Sequence, residues 1–174
     1  MGRRLSAGAL ALACALCCGA AAPAQDLPAE VRAYLRGQPG WSPLGYEALG
    51  VDDRQLWDQY HPAQSPGVAK LDIDGDGRAD YALALVSGSG ALRRQKLVLL
   101  WHPHGRLRAD TLSAPWRTST ALVVWRGEPG LYEEWGGDRK ARVRHGSVIY
   151  EQMEAWAQAY YFEGGRIRRI DTSG

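Results

Sequence analysis

Between Leu71 and Tyr81 the chain runs Asp72-Ile73-Asp74-Gly75-Asp76-Gly77-Arg78-Ala79-Asp80, with carboxylates at positions 1, 3, 5 and 9 of a nine-residue loop. No other stretch restricts the fold so tightly. Four acids this close repel one another and raise one another's pKa values unless a cation sits among them. Calcium is a hard cation that accepts roughly six to eight oxygens in a tolerant geometry. Aspartates at alternate positions supply such oxygens from a tightly curled chain. Gly75 and Gly77 permit the positive φ angles of that curl without a Cβ penalty. Asp72, Asp74, Asp76 and Asp80 are therefore the predicted side-chain ligands, and Arg78, at position 7, offers its carbonyl. The plainer alternative is a polar turn whose acids face water.

The flanks decide which kind of calcium loop this is. An EF-hand needs a bidentate Glu at position 12 and a helix on each side. Position 12 is Leu83. Val68-Ala69-Lys70-Leu71 before the loop and Tyr81 to Val86 after it place their larger residues two apart, which suits strands. A strand–loop–strand carrying D-x-D-G-D-G-x-x-D over Val68 to Ser87 resembles the calcium loop of FG-GAP/VCBS repeats, the blades of integrin α-subunit propellers. That resemblance implies calcium held by Asp72, Asp74, Asp76 and Asp80 and by the Arg78 carbonyl. There is one such loop and no Phe-Gly…Gly-Ala-Pro segment before it, so the sequence does not support a closed propeller of repeated blades. The overall plan also resembles small exported bacterial proteins that carry a single unit of this type.

Residues 1–24 read as a cleaved signal peptide. Arg3 and Arg4 precede an apolar run from Leu5 to Ala22, and Ala22-Pro23-Ala24 offers small residues before a cut at Gln25. A lipoprotein attached through Cys14, in the partial lipobox Leu12-Ala13-Cys14, is the lesser alternative. Cys14, Cys17 and Cys18 all fall in this leader, so residues 25–174 contain no cysteine and exclude thiol chemistry and disulfides. Without disulfides, a metal gains value as a structural tie. Removing Arg3 and Arg4 leaves 19 basic against 19 acidic residues, a balance that argues against a nucleic-acid partner. The expected location is periplasmic or secreted, with no transmembrane segment after cleavage.

Residues 25–174 suit one β-rich calcium-loop domain. Asp26 to Gly37 has the punctuation of a short helix, with Asp26 as N-cap and Gly37 closing it, and Leu27, Val31, Tyr34 and Leu35 form one apolar face. Residues 38–67, rich in Pro and Gly, read as an irregular connection with a short strand near Leu44 or a helical turn at Asp53–Tyr60. Beyond the loop, short apolar runs alternate with turn signals. Lys96 to Trp101 and Ala121 to Trp125 read as strands buried on both faces. Trp156 to Phe162 pairs with Arg166 to Ile170 across Glu163-Gly164-Gly165, the clearest hairpin in the chain. The predicted fold is mainly β (α+β), with seven to eight antiparallel strands, one short N-terminal helix, and an incomplete propeller-like or sandwich-like sheet.

No catalytic constellation emerges. His102-Pro103-His104 is a turn without an identifiable third zinc ligand, and Ser87-Gly88-Ser89-Gly90 lacks the spacing of a nucleophile elbow. Glu133-Glu134-Trp135 carries the alternative function, a glycan-acting hydrolase or lectin, although a glycosidase needs two carboxylates at a defined separation. Aromatic residues default to the core. Trp135, beside Gly136-Gly137, is the one aromatic that could anchor a partner, although core packing remains the favoured reading for it as well. The alternating cations of Arg139 to Arg144 suit a solvated edge protected against aggregation, with an acidic partner or the anionic envelope surface as the alternative they could face. The leading expectation is an exported, calcium-binding, non-enzymatic module that binds an envelope protein or wall component, in one version as an inhibitor or immunity protein.

Overall fold

Tyr81 to Val86 and Leu97 to Trp101 are apolar at every position, so a sheet built from them must be covered on both faces. The computed structural model describes residues 27–173 and meets that demand by layering. In chain order the elements are α1 (Ala29–Arg36), β1 (Ser42–Pro43), α2 (Val51–Tyr60), β2 (Val68–Leu71), β3 (Asp80–Ser87), β4 (Arg94–Trp101) and β5 (Arg108–Arg117). They continue with β6 (Val123–Gly127), β7 (Gly130–Glu133), β8 (Lys140–Val143), β9 (Ser147–Gln152), β10 (Trp156–Glu163) and β11 (Arg166–Ser173). The first sheet runs β1-β3-β4-β5 with β2 also on β3, the second runs β11-β10-β9-β6, and β7–β8 forms a separate ribbon. All of these pairings are antiparallel.

Period-two alternation distributes the side chains among the layers. Tyr81, Leu83, Leu85, Val98 and Leu100 face outward from the first sheet and are covered by Val31, Leu27, Tyr34 and Leu35 of the α1 region. Ala82, Ala84, Leu97, Leu99 and Trp101 face the other way and pack on Val123, Val148, Tyr150 and Tyr160 of the second sheet. The far side of that sheet buries Ile149, Ala159, Tyr161 and Ile170 against Ala141 and Val143 of the ribbon. Each fully buried Leu or Val contributes roughly 1.5–3 kcal/mol by leaving water.

β1 and β2 share one edge of β3 end to end, pairing at Leu85–Val86 and at Asp80–Leu83 respectively. Gly67 lies where they meet. A Cβ there would fall 2.4 Å from the Leu44 backbone. Buried Gln95 ties the sheets together, because its amide donates to the Leu122 carbonyl and accepts from the Leu122 N–H.

The fold is mainly β, as the sequence predicts, and the two main sheets face each other in the sandwich-like arrangement. Among the described residues the strands number eleven rather than seven or eight, and the alternative helical turn at Asp53–Tyr60 is a full second helix, α2. Its one fully buried residue is Trp57, so it carries almost no apolar periodicity to read. α1 forms as predicted over most of its range, with Pro28 at the N-cap position, and Gly37 follows it at φ −85° rather than in a left-handed cap. The short strand near Leu44 is β1. The predicted leader 1–24, with Cys14 and Ala24, and the predicted cap Asp26 lie outside the described residues.

Candidate metal centre

β2 and β3 are held in register by Leu71 opposite Asp80, and the acidic loop bridges their ends. Gly75 and Gly77 both take positive φ, at 79° and 82°. The loop then closes on its own carboxylates. Asp72 accepts from the N–H groups of Gly75 at 2.7 Å and Gly77 at 3.0 Å. Asp74 accepts from Asp76 N–H at 3.2 Å, and Asp76 accepts from Arg78 N–H at 2.8 Å. Asp80 reaches back across the loop to Ile73 N–H at 3.0 Å. An ionised carboxylate has about four lone-pair sites, so these backbone bonds leave each acid with acceptor capacity to spare.

Asp72, Asp74 and Asp80 each offer an oxygen within 4.8 Å of the others. Asp76 does not join that cluster; it is exposed and lies 3.9 Å from the Arg78 guanidinium. Arg78 itself extends away, donating to the Gly105 carbonyl at 3.3 Å. Three hard oxygens on a glycine-jointed loop form a donor set suited to a divalent cation of calcium's size and flexible coordination.

Asp80 is the unusual member. Its side chain is 1% exposed. Burial pushes its carboxyl up to about 6, helped by the neighbouring charges of Asp74 and Asp72 and opposed by the Ile73 N–H and by His102. His102 Nδ1 stands 3.6 Å from Asp80 Oδ1 and its Nε2 stands 3.5 Å from Glu30, so one imidazole lies between the loop and α1. An acid kept this dry gains most from a cation beside it, since Coulomb attraction strengthens as water is excluded.

Two depressions flank the loop and share Asp74 and Phe162. One, of about 270 Å³, is lined by Arg142, Arg144, His145 and Glu163 as well. The other, of about 420 Å³, reaches Asp76, Trp101 and His104. His145 lies over the loop, and a Cβ on Gly75 would fall 2.2 Å from its ring. Gly146 N–H donates to the Asp72 carbonyl at 3.1 Å, which secures the β8–β9 turn to the loop.

His102, His145 and the two arginines were not among the predicted site residues. Each lies more than twenty positions from the loop, and although Arg142 and Arg144 belong to an alternating run of cations, nothing local places that run beside the acids. His102 was visible only as half of a His-Pro-His turn. The other candidate triplet lies on the ribbon. Glu133 is ion-paired with Lys140 and Glu134 with Arg139 at 2.7 Å. Trp135 is 63% exposed, in contrast to the default of core packing. Lys140, Arg142 and Arg144 point to solvent and Ala141 and Val143 inward, as the alternation predicts.

No family model matches this chain, and neither does any curated protein or solved structure. Among the described residues no helix is long and apolar enough to cross a membrane.

Proposed function

We propose that this chain is an exported calcium-binding module without catalytic function, in which the ion ties the ends of β2 and β3 together and thereby shapes the surface that meets an envelope partner. The supporting observation is the convergence of Asp72, Asp74 and Asp80 within 4.8 Å on a loop that Asp72 closes by accepting from the Gly75 and Gly77 N–H groups. Asp76 and the Arg78 carbonyl complete the ligand set implied by the sequence pattern. When bound, calcium supplies charge neutralisation and a cross-link, not chemistry on a substrate. The chain's own residues do the rest: Asp80 anchors the loop to Ile73 N–H, and His102 lies between that acid and Glu30 next to α1.

Thermal unfolding in excess EDTA and then across a calcium titration tests this reading. A ligand confined to the folded state stabilises it by RT ln(1 + [L]/Kd), about 2.7 kcal/mol at a hundredfold excess over Kd. The expected result is a calcium-dependent rise in Tm that magnesium, with its stricter octahedral demand, does not reproduce. An unchanged Tm at millimolar calcium would reduce the loop to an ordinary acidic turn.

A further inference from the structure

We propose that the cleft beside the loop, between the β8–β9 and β10–β11 turns, receives the terminal carboxylate of a short peptide, and that calcium in the loop strengthens this binding. The inference rests on the calcium reading and gives it a ligand. The cleft is lined by Asp74, Arg142, Arg144, His145, Phe162 and Glu163.

Arg142 and Arg144 are two apart on an extended segment whose intervening residue, Val143, is buried, so both guanidinium groups project from the same side. They differ from the other cations of the ribbon. Arg139 and Lys140 are engaged by Glu134 and Glu133, whereas no ion pair involves Arg142 or Arg144 among the described residues. Paired guanidinium forks match the planar, bidentate geometry of a carboxylate.

Charge selects the ligand and links it to calcium. Without a cation in the loop, Asp74 and Glu163 offset the two arginines. Once calcium takes Asp74, only Glu163 opposes them, and the cleft favours a monoanion. A doubly charged phosphate would exceed that balance and leave Phe162 without a contact. A peptide terminus uses both features, with its carboxylate on the arginines, its last side chain on the Phe162 ring, and its amide within reach of His145. At about 270 Å³ the cleft falls just under the roughly 300–1,000 Å³ of ordinary small-molecule sites. It therefore accommodates the end of a chain, not a whole oligosaccharide.

The test is isothermal titration of the full chain, first with calcium alone and then with N-acetyl-alanyl-alanine or its C-terminal amide, in calcium or in EDTA. The free acid should bind in calcium and at least about fivefold more weakly in EDTA, and by reciprocity it should tighten calcium binding by the same factor. The amide should not bind. The double variant Arg142→Gln/Arg144→Gln should lose the peptide while retaining calcium affinity, and Glu163→Gln should bind the acid more tightly.

If calcium binds but acid and amide behave alike, or the arginine variant binds the peptide normally, the cleft proposal falls and the calcium reading stands. Stronger binding of inorganic phosphate than of the acid would overturn the choice of ligand. Absence of calcium heat together with peptide binding that EDTA does not change would remove the coupling and the calcium reading together.

Discussion

Two hairpins close in opposite ways. β10 and β11 pair up to Glu163 opposite Arg166, so only Gly164 and Gly165 make the turn, both at positive φ. That is the economical solution, since a two-residue turn with left-handed residues matches the natural twist of the strands. β2 and β3 pair up to Leu71 opposite Asp80 and then spend residues 72–79 on a connection that the register does not require. Asp72 and Asp74 of that connection converge on Asp80, the buried acid that opens β3. The difference teaches where stability is conditional. The glycine turn is complete with backbone alone, whereas the acidic loop gathers negative charge that, on the function proposed, an ion offsets.

The largest effect should come from Asp80→Ala. It leaves the Ile73 N–H without its acceptor, which costs about 1–3 kcal/mol in EDTA below about pH 5, where the carboxyl is protonated, and it also abolishes the calcium-dependent gain. Denaturant titrations in EDTA and in calcium separate the two losses. Asp74→Ala and Asp76→Ala remove acceptors only from exposed N–H groups that water can satisfy, so they should act mainly through the ion, lowering Tm in calcium with little change under chelation. Equal losses in both conditions would make the acidic loop as unconditional as the glycine turn.

Next in size is a pH effect. Asp80 sits at about 6 in the folded chain against an ordinary value of 3.8. The folded state therefore holds this proton more tightly than the unfolded state, and the stability it contributes below about pH 4 is lost as pH rises through about 6. In EDTA, Tm should fall across that window, and Asp80→Asn should flatten the curve. Calcium favours the ionised carboxylate and should reduce or reverse the slope.

Smaller still is Gly164→Ala, which should cost roughly 1–2 kcal/mol for a left-handed residue and be indifferent to calcium, because nothing lies within 4 Å of the added Cβ. Gly75→Ala forces the exposed His145 ring aside, so its cost should depend on calcium. A calcium titration of Tm for both variants reads the contrast directly. Least of all, Glu133→Gln and Glu134→Gln should change stability by under about 1 kcal/mol, as exposed ion pairs do.

Short-range chemistry was legible in the chain itself. The spacing of Asp72 to Asp80, the β10–β11 turn glycines, and the alternation along Tyr81 to Val86 each act over a few residues, so their physics is written locally. Those features were enough to predict a mainly-β fold and to locate the loop. The sequence marked α2 only as an alternative helical turn at Asp53–Tyr60, because Trp57 alone is fully buried, and β1 only as a short strand near Leu44, because two residues are too few for any period. Only tertiary packing decided that His102 would lie between Asp80 and Glu30, that His145 would cover Gly75, that Trp135 would remain exposed, and that Arg142 and Arg144 would border the loop. These placements depend on how sheets and ribbon stack, and stacking is set by the sum of buried area across distant strands. No residue pattern within one strand records which distant side chain will come to rest against it.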